Sequence, residues 1–299
     1  MKILVSFKWL YRWLGKKMAV PRFVFIVVTL FALIGLVFTA VFFAMQYGLL
    51  NVKGSSIARN ISLGAIPQAA IVSTCATVNG TTPKTCDWSA TSEWGVLHSA
   101  ITKDSSVLNK VADQTGVSGR LIASAVVPEQ LRYFTSNRES FKKYFEPLKI
   151  LSSLSKFSLG VSGIKQDTAI QIEQYANNPN SQFYPGPEIA PLLAYPAGVD
   201  HDTELYNRLT DAHDHYYSYL YTAAFIKEVE AQWAKAGYDV TNRPDVVVTL
   251  FNIGFGVSHP NANPQVAGSK ITLGGKDYAF GELGTLFYQS DQLLNILPR

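Results

Sequence analysis

The residues best suited to chemistry in this 299-residue chain are one carboxylic acid and two polar turns. Glu129 ends an apolar run, and apolar surroundings favour the neutral, proton-donating form of a carboxylic acid. A Gly/Ser-rich turn at 160–164 and an Asn252-x-Gly254 turn follow later in the chain. A positioned acid protonates the leaving oxygen of a glycosidic bond and then accepts a proton as a base. These features predict a glycan-cleaving enzyme with one catalytic acid.

Two other chemistries are less favoured by the spacing. Most glycosidases pair two carboxylates about 5–9.5 Å apart, and no second acid stands at a fixed spacing from Glu129. Asp211 and His215 are four residues apart and would share one face of a helix, which raises the question of a metal site. A solvated helix face is the simpler interpretation, so we expect no metal and no cofactor.

The ordered features resemble the motifs of the lytic transglycosylase and goose-type lysozyme superfamily. That family has a helix with a catalytic Glu, a Gly-Leu-Met-Gln-Ile-x-Pro-x-Thr-Ala turn into a helix, and an Ala-Tyr-Asn-Ala-Gly turn. Glu129 matches the first motif, residues 160–169 match the second without a gap, and residues 250–254 match the third. The resemblance covers about residues 105–260.

The resemblance implies site residues for this chain. Glu129 is the expected catalytic residue, and the expected substrate-binding residues are Gly160, Ser162, Gly163, Ile164, Asn252 and Tyr133. Three positions depart from the family: Gln130 replaces a Ser, Gly163 a Gln, and Phe251 a Tyr. Tyr133 or a tyrosine within 216–221 is expected to supply the hydroxyl that Phe251 lacks.

The resemblance also implies a reaction. The expected substrate is the glycan strand of peptidoglycan, cut at its MurNAc-GlcNAc bond by a single Glu with help from the sugar's N-acetyl group. Attack by the sugar's 6-hydroxyl gives a 1,6-anhydro product. Two alternatives stay open: a hydrolytic muramidase of a secretion or conjugation apparatus, and a catalytically inactive glycan-binding or scaffold module of a cell-envelope complex with protein partners.

The N-terminus predicts a membrane anchor. Residues 1–22 carry six basic residues and no acid, and residues 23–47 carry no charge. About 20 apolar helical residues cross a bilayer, whereas the apolar region of a cleaved signal peptide spans about 7–15. We therefore expect a cytoplasmic basic tail, a transmembrane helix at 23–47 and an extracytoplasmic remainder, at a bacterial cytoplasmic membrane.

The charge distribution argues against nucleic-acid binding. The chain has a net charge of +4, but removing the basic tail leaves 20 basic and 22 acidic residues, a net charge of −2. The exported part therefore lacks the basic field that holds nucleic acid. Cys75 and Cys86 lie in that part, on either side of the turn dipeptide Asn79-Gly80, and an oxidising compartment favours a disulfide between them.

The remaining pattern predicts a mainly α, lysozyme-like domain with a small β-hairpin, preceded by one transmembrane helix. We interpret 48–104 as a linker or cap and 105–299 as the catalytic domain. Expected helices include 119–134, kinked or restarted at Pro128, and a long one over 202–236 that stops at Gly237. A helix is also expected from Pro244, a hairpin over 270–280, and helices over 138–154 and 281–297.

Overall fold

The computed structural model describes residues 22–46, 75, 77, 81, 83–135, 158–241 and 243–299. Within these ranges, the description does not include the side chains of residues 22, 23, 25, 26, 38, 40–46, 133–135 and 158. The chain divides into two compact units, Met1–Asn51 and Val52–Arg299. The helix expected over 138–154 lies outside the described residues.

Helices dominate the described part of the chain, as predicted. The α-helices are α1 Arg22–Gln46, α2 Ser92–Thr115, α3 Gly119–Thr135, α4 Gln166–Ala176, α5 Ile189–Leu193, α6 His201–Thr210, α7 Tyr216–Lys235, α8 Pro244–Ile253 and α9 Phe280–Gln289. Two antiparallel hairpins accompany them, formed by β1 Ser158–Leu159 with β2 Ile164–Lys165 and by β3 Lys270–Leu273 with β4 Lys276–Ala279.

The first unit contains the helix α1, which confirms the helical conformation expected over 23–47 for its described part, residues 23–46. Its described side chains are those of residues 24, 27–37 and 39, and its large apolar ones are solvent-exposed, for example Phe31 at 67% and Leu36 at 65%. Among the described residues, no helix meets the length and hydropathy of a membrane span.

The helix α3 is the central element of the second unit and carries Glu129. It packs against α2, α7, α8, α9 and β3. Its residues from 121 to 129 are all buried. Pro128 does not end the helix, although it cannot donate a hydrogen bond to the Ser124 carbonyl. Gly284 of α9 lies against that carbonyl, where any Cβ would collide with the oxygen.

The long helix expected over 202–236 is instead two helices, α6 and α7, separated by residues 211–215. Asp211 Oδ1 accepts hydrogen bonds from the backbone N–H groups of His213 and Asp214, at 2.8 and 3.1 Å. Asp214 Oδ1 accepts from Tyr216 N at 2.9 Å. Short acidic side chains compete in this way with the helical backbone pattern, and two of them break the helix here.

Other turns form as the sequence predicts. Gly237 is left-handed (φ 86°) and ends α7, with Gly237 N bonded to Ala234 O and Tyr238 N to Trp233 O, which is a Schellman motif. Pro244 is the first residue of α8. The β3–β4 hairpin turns at Gly274 and Gly275, both with positive φ.

The domain boundary at residue 105 falls inside a helix. The helix α2 begins at Ser92, capped by the Thr91 hydroxyl, and buries Trp94, Leu97 and Ile101 in the main core. The folded domain therefore starts earlier, because α2 and the preceding Trp88 contribute to that core. The C-terminal helix α9 ends at Gln289, earlier than the expected 297.

The disulfide between Cys75 and Cys86 is present, with Cα atoms 5.7 Å apart, as predicted. Cys75 also pairs with Thr91 in an antiparallel β-bridge, and Cys86 N donates to Gly274 O at 2.8 Å. The Asn79-Gly80 turn lies outside the described residues. The disulfide therefore joins a segment that contacts both the start of α2 and the β3–β4 turn.

Candidate active site

Glu129 lies near the C-terminal end of α3 and is only 7% exposed. Its two carboxylate oxygens each accept a hydrogen bond from Arg132 Nη2, at 2.6 Å. Arg132 is itself largely buried, with its side chain 15% exposed. Beside the buried apolar neighbours expected for Glu129, the chain therefore supplies a cation one turn further along the helix, and this cation pairs with the carboxylate.

The turn 160–163 connects β1 to β2 and has the geometry of a tight hairpin. Leu159 pairs with Ile164, and Gly163 N donates to Gly160 O at 3.3 Å. Both glycines have positive φ, 62° and 63°, as expected for this turn. A Cβ on Gly160 would collide with the Leu209 carbonyl, so this turn lies directly against α6.

Gly163 brings the turn into contact with the acid. A Cβ at this position would overlap the Glu129 carboxyl group and would lie 2.6 Å from Glu129 Cγ. The neighbouring Gln130 reinforces the contact, since its Nε2 donates to Val161 O at 2.5 Å. Two of the three sequence motifs therefore meet in space, and Gln130 has a specific role where the family usually has Ser.

Ser162 and Ile164 point into the protein. The Ser162 side chain is 1% exposed and its hydroxyl donates to Ser218 O at 2.9 Å. Ile164 is 4% exposed and belongs to the core. Both residues pack the hairpin against the rest of the domain. This structural role accounts for the two residues, and neither needs a contact with substrate.

Asn252 joins α8 to a distant segment of the chain. Its Oδ1 accepts hydrogen bonds from Ser269 N at 2.7 Å and Ser269 Oγ at 3.1 Å, which ties the end of α8 to the start of β3. Among the described contacts, none joins Asn252 to Glu129. Phe251 packs edge-on against Phe225, with ring centroids 5.4 Å apart.

Phe251 lacks the hydroxyl that a Tyr would have, and none of the candidate tyrosines with described hydrogen bonds directs its own hydroxyl to Glu129. Tyr216, Tyr219 and Tyr221 donate to Gln114, Asp104 and Glu173, respectively. The side chain of Tyr133 lies outside the described residues, so its expected substrate contact stays a prediction.

A polar network around Glu173 was not predicted. Glu173 of α4 accepts hydrogen bonds from the hydroxyls of Tyr195 and Tyr221, and its other oxygen bonds His201 Nε2 at 2.7 Å. The hydrogen bond of His201 to Glu173 raises the pKa of His201. Burial, and secondly the hydrogen bond to Glu173, raises the pKa of Tyr195. No local sequence signal marks this network, because its members come from four different segments.

The Asp211–His215 stretch is used for structure. His215 Nδ1 bonds Asp104 Oδ2 at 2.5 Å, which joins α7 to α2, while Asp211 holds the interhelical turn. Within the described part of the chain, no group of three His, Cys, Asp or Glu side chains is placed to hold a metal ion.

Comparison with protein-family models, with curated proteins and with solved structures finds no match to this chain.

Proposed function

We propose that this chain is a membrane-anchored enzyme that cleaves the glycan strands of peptidoglycan, with Glu129 as the single catalytic acid. The observation that carries the proposal is the contact between Glu129 and Gly163. These two residues belong to separate motifs of the sequence, and a functional site requires them to meet.

The proposed reaction is a lytic transglycosylation. Glu129 donates its proton to the glycosidic oxygen as the bond from C1 to that oxygen breaks, and the substrate's N-acetyl group stabilises the developing cation. The sugar's 6-hydroxyl then bonds to C1 and returns its proton to the carboxylate, which gives a 1,6-anhydro end. Arg132 occupies both carboxylate oxygens of Glu129, so the pair must loosen before the acid can reach the glycosidic oxygen.

The same ion pair favours a second candidate, a glycan-binding module without catalysis. A carboxylate held by both oxygens against a largely buried Arg132 is a stable structural unit, and breaking such a pair costs several kcal/mol, on the order of 3–5. In this candidate the turn 160–163 and its surroundings bind peptidoglycan, and Glu129 serves only to fix the end of α3.

The anchor belongs to the same proposal. Residues 23–47 carry no charge, and the described large apolar side chains of α1 are exposed. Such an apolar surface is unfavourable in water and favourable in the hydrocarbon core of a bilayer. The basic tail would stay in the cytoplasm and the disulfide-bearing unit would face the cell wall.

An alkaline carbonate wash of membranes tests the anchor. The full chain is expected to remain in the membrane fraction, whereas a chain lacking residues 1–47 is expected to be released into the soluble fraction.

The decisive experiment is digestion of purified peptidoglycan by the full chain in detergent, with products identified by mass. Glu129→Gln is compared with the wild type, and Asp277→Asn, on the exposed β3–β4 hairpin, serves as the matched control. We expect anhydro-ended products from the wild type and the control, and a loss of at least about 100-fold with Glu129→Gln.

The other outcomes separate the alternatives. Reducing-ended products that depend on Glu129 would identify a muramidase. Equal product formation by the wild type and Glu129→Gln would remove Glu129 from the mechanism. A folded protein that sediments with peptidoglycan but yields no product would favour the binding module.

A further inference from the structure

A pocket of about 390 Å³ lies in the second unit, and neither Glu129 nor the turn 160–163 lines it. It is formed by the C-terminal half of α4, the segment between α4 and α5, the C-terminal part of α7 and the segment that follows α8. Among the described residues that line it, there is no Asp, Glu, Lys or Arg side chain. The pocket is therefore suited to a neutral ligand.

One wall of the pocket is aromatic. Tyr175 and Phe183 stack with ring centroids 4.7 Å apart, and Phe255 meets Tyr175 edge-on at 5.1 Å. Phe183 and Phe255 are 4% and 6% exposed, while Tyr175 is half-buried. Such a wall offers an apolar ring surface with a polar hydroxyl at its edge.

A second wall is polar and rigid. Gln232 Nε2 donates to Ser258 O at 3.0 Å, and Ser258 Oγ donates to Gln232 Oε1 at 2.5 Å. Trp233 Nε1 donates to the same Ser258 Oγ at 3.0 Å. These groups satisfy one another, so this wall shapes the pocket without needing a ligand.

The rim of the pocket carries polar groups of a different kind. Gln171, Gln182 and His259 are exposed, and their side chains make no hydrogen bond to another described residue. The hydroxyl of Tyr175 is likewise without a described hydrogen-bond partner. The rim thus presents amide, imidazole and hydroxyl groups, which both donate and accept hydrogen bonds.

One buried acid near the pocket is neutral as well. Glu228 lies one helical turn before Gln232 on α7 and is fully buried. Burial raises the pKa of Glu228 to about 10, so this acid is uncharged at neutral pH. Burial, and secondly Glu228, raises the pKa of Tyr175, which places the acid close to the aromatic wall.

We propose that this pocket is a binding site for a neutral, N-acetylated sugar residue, separate from the site at Glu129. An aromatic face accepts the C–H surface of a sugar ring, and free amide groups match its hydroxyl and acetamido groups. Tyr175 lies nine positions after Gln166, the first residue of α4, which is about 14 Å along the helix axis. The pocket would hold a glycan strand at a distance from the cleaved bond, and its natural ligand rests on the proposed function.

The test measures binding, not cleavage. The full chain in detergent, carrying Glu129→Gln to prevent turnover, is titrated calorimetrically with a tetramer of N-acetylglucosamine and with a glucose tetramer that lacks acetamido groups. We expect binding of the N-acetylated tetramer only. The double variant Gln171→Ala/Gln182→Ala is expected to weaken it at least tenfold. Gln174→Ala is the control, since Gln174 is exposed on the same helix but does not line the pocket.

Each result decides the proposal. Unchanged affinity in a folded double variant, or no binding of the N-acetylated tetramer to folded protein, would overturn the pocket assignment. Equal binding of both tetramers would overturn the N-acetylated class. If cleavage depends on Glu129 while the double variant binds normally, the proposed function is supported and the pocket assignment is wrong. If the double variant loses binding and no protein cleaves peptidoglycan, the pocket assignment is supported and the proposed enzymatic function is wrong.

Discussion

At the scale of single residues, Gly163 determines whether Glu129 and the turn 160–163 fit together. Gly163→Ala places a methyl group on the Glu129 carboxyl group at a backbone φ of 63°. We expect a loss of about 1–3 kcal/mol of stability from the strained backbone. Displacement of the acid should also reduce peptidoglycan cleavage about 100-fold. Thermal unfolding and product formation measure the two effects.

Gly116 provides the control for backbone strain. It also has a positive φ, 73°, and no atom lies within 4 Å of a Cβ built there. Gly116→Ala should therefore lose stability but keep the activity of its remaining folded molecules. Equal activity of the two variants would show that the contact with Glu129 has no catalytic importance.

The buried acid Glu228 gives a pH-dependent stability. Its pKa is raised by burial to about 10, above the ordinary 4.5, so folding becomes less favourable as pH rises between these values. Neither of its oxygens has a partner among the described residues. Glu228→Gln removes the titration, and we expect the variant to be more stable at pH 7 by about 3 kcal/mol.

Urea unfolding at pH 5, 7 and 9 measures this effect. The two proteins should be nearly equal at pH 5, and the advantage of the variant should grow with pH. Stability curves that run parallel across this range would show that Glu228 is not a buried titrating group.

At the scale of elements, α2 and α7 are joined by a charged pair. Asp104 accepts hydrogen bonds from His215 Nδ1 at 2.5 Å and from the Tyr219 hydroxyl at 2.6 Å. Burial alone would raise the pKa of Asp104, but these hydrogen bonds outweigh it and lower the pKa. The hydrogen bond to Asp104 raises the pKa of His215 above the ordinary 6.5.

Asp104→Asn tests this connection. The pair stabilises the fold fully only below the unfolded-state pKa of His215 and above that of Asp104, 3.8. The destabilisation caused by Asp104→Asn should therefore be largest near pH 5–6. It should shrink as pH rises through the raised pKa of His215. We expect about 1 kcal/mol or less, because both side chains are partly exposed. A destabilisation independent of pH would contradict the assignment.

At the scale of the whole domain, Arg120 connects the central helix to the C-terminal segment. Its guanidinium is fully buried and donates to the backbone carbonyls of Phe287, Tyr288, Ser290, Gln292 and Leu297. One side chain thereby satisfies five acceptors at and beyond the end of α9. This arrangement explains why the chain after Gln289 remains packed although it is no longer helical.

Arg120→Met is expected to destabilise the domain by about 3–5 kcal/mol, since it removes the one buried donor that these five carbonyls share. Arg299→Met is the control, because Arg299 also donates to Tyr288 O and Ser290 O but is exposed. That variant should lose less than about 1 kcal/mol. Denaturant unfolding measures both, and similar losses would contradict the importance of Arg120.

The sequence by itself determined the features that depend on local chemistry. Gly237, Pro244 and the Gly274-Gly275 pair end or begin their elements as predicted, because each acts through its own backbone preferences. The apolar run before Glu129 predicted a buried helix, and the spacing of Cys75 and Cys86 predicted their disulfide. The sequence pattern does not predict the break at 211–215, although its cause is also local, because the helical periodicity continues through the two capping Asp side chains.

Only the tertiary structure decided which polar groups meet. Three such contacts join residues from different elements: Gly163 with Glu129, Ser162 with Ser218, and the members of the Glu173 network with one another. Sequence spacing carries no information on such contacts, because they depend on how the helices pack. The sequence is enough to predict the pairing of Arg132 with Glu129, because the two residues are three positions apart on one helix. The energetic importance of the pair depends on its burial, which only the packing of the helices establishes.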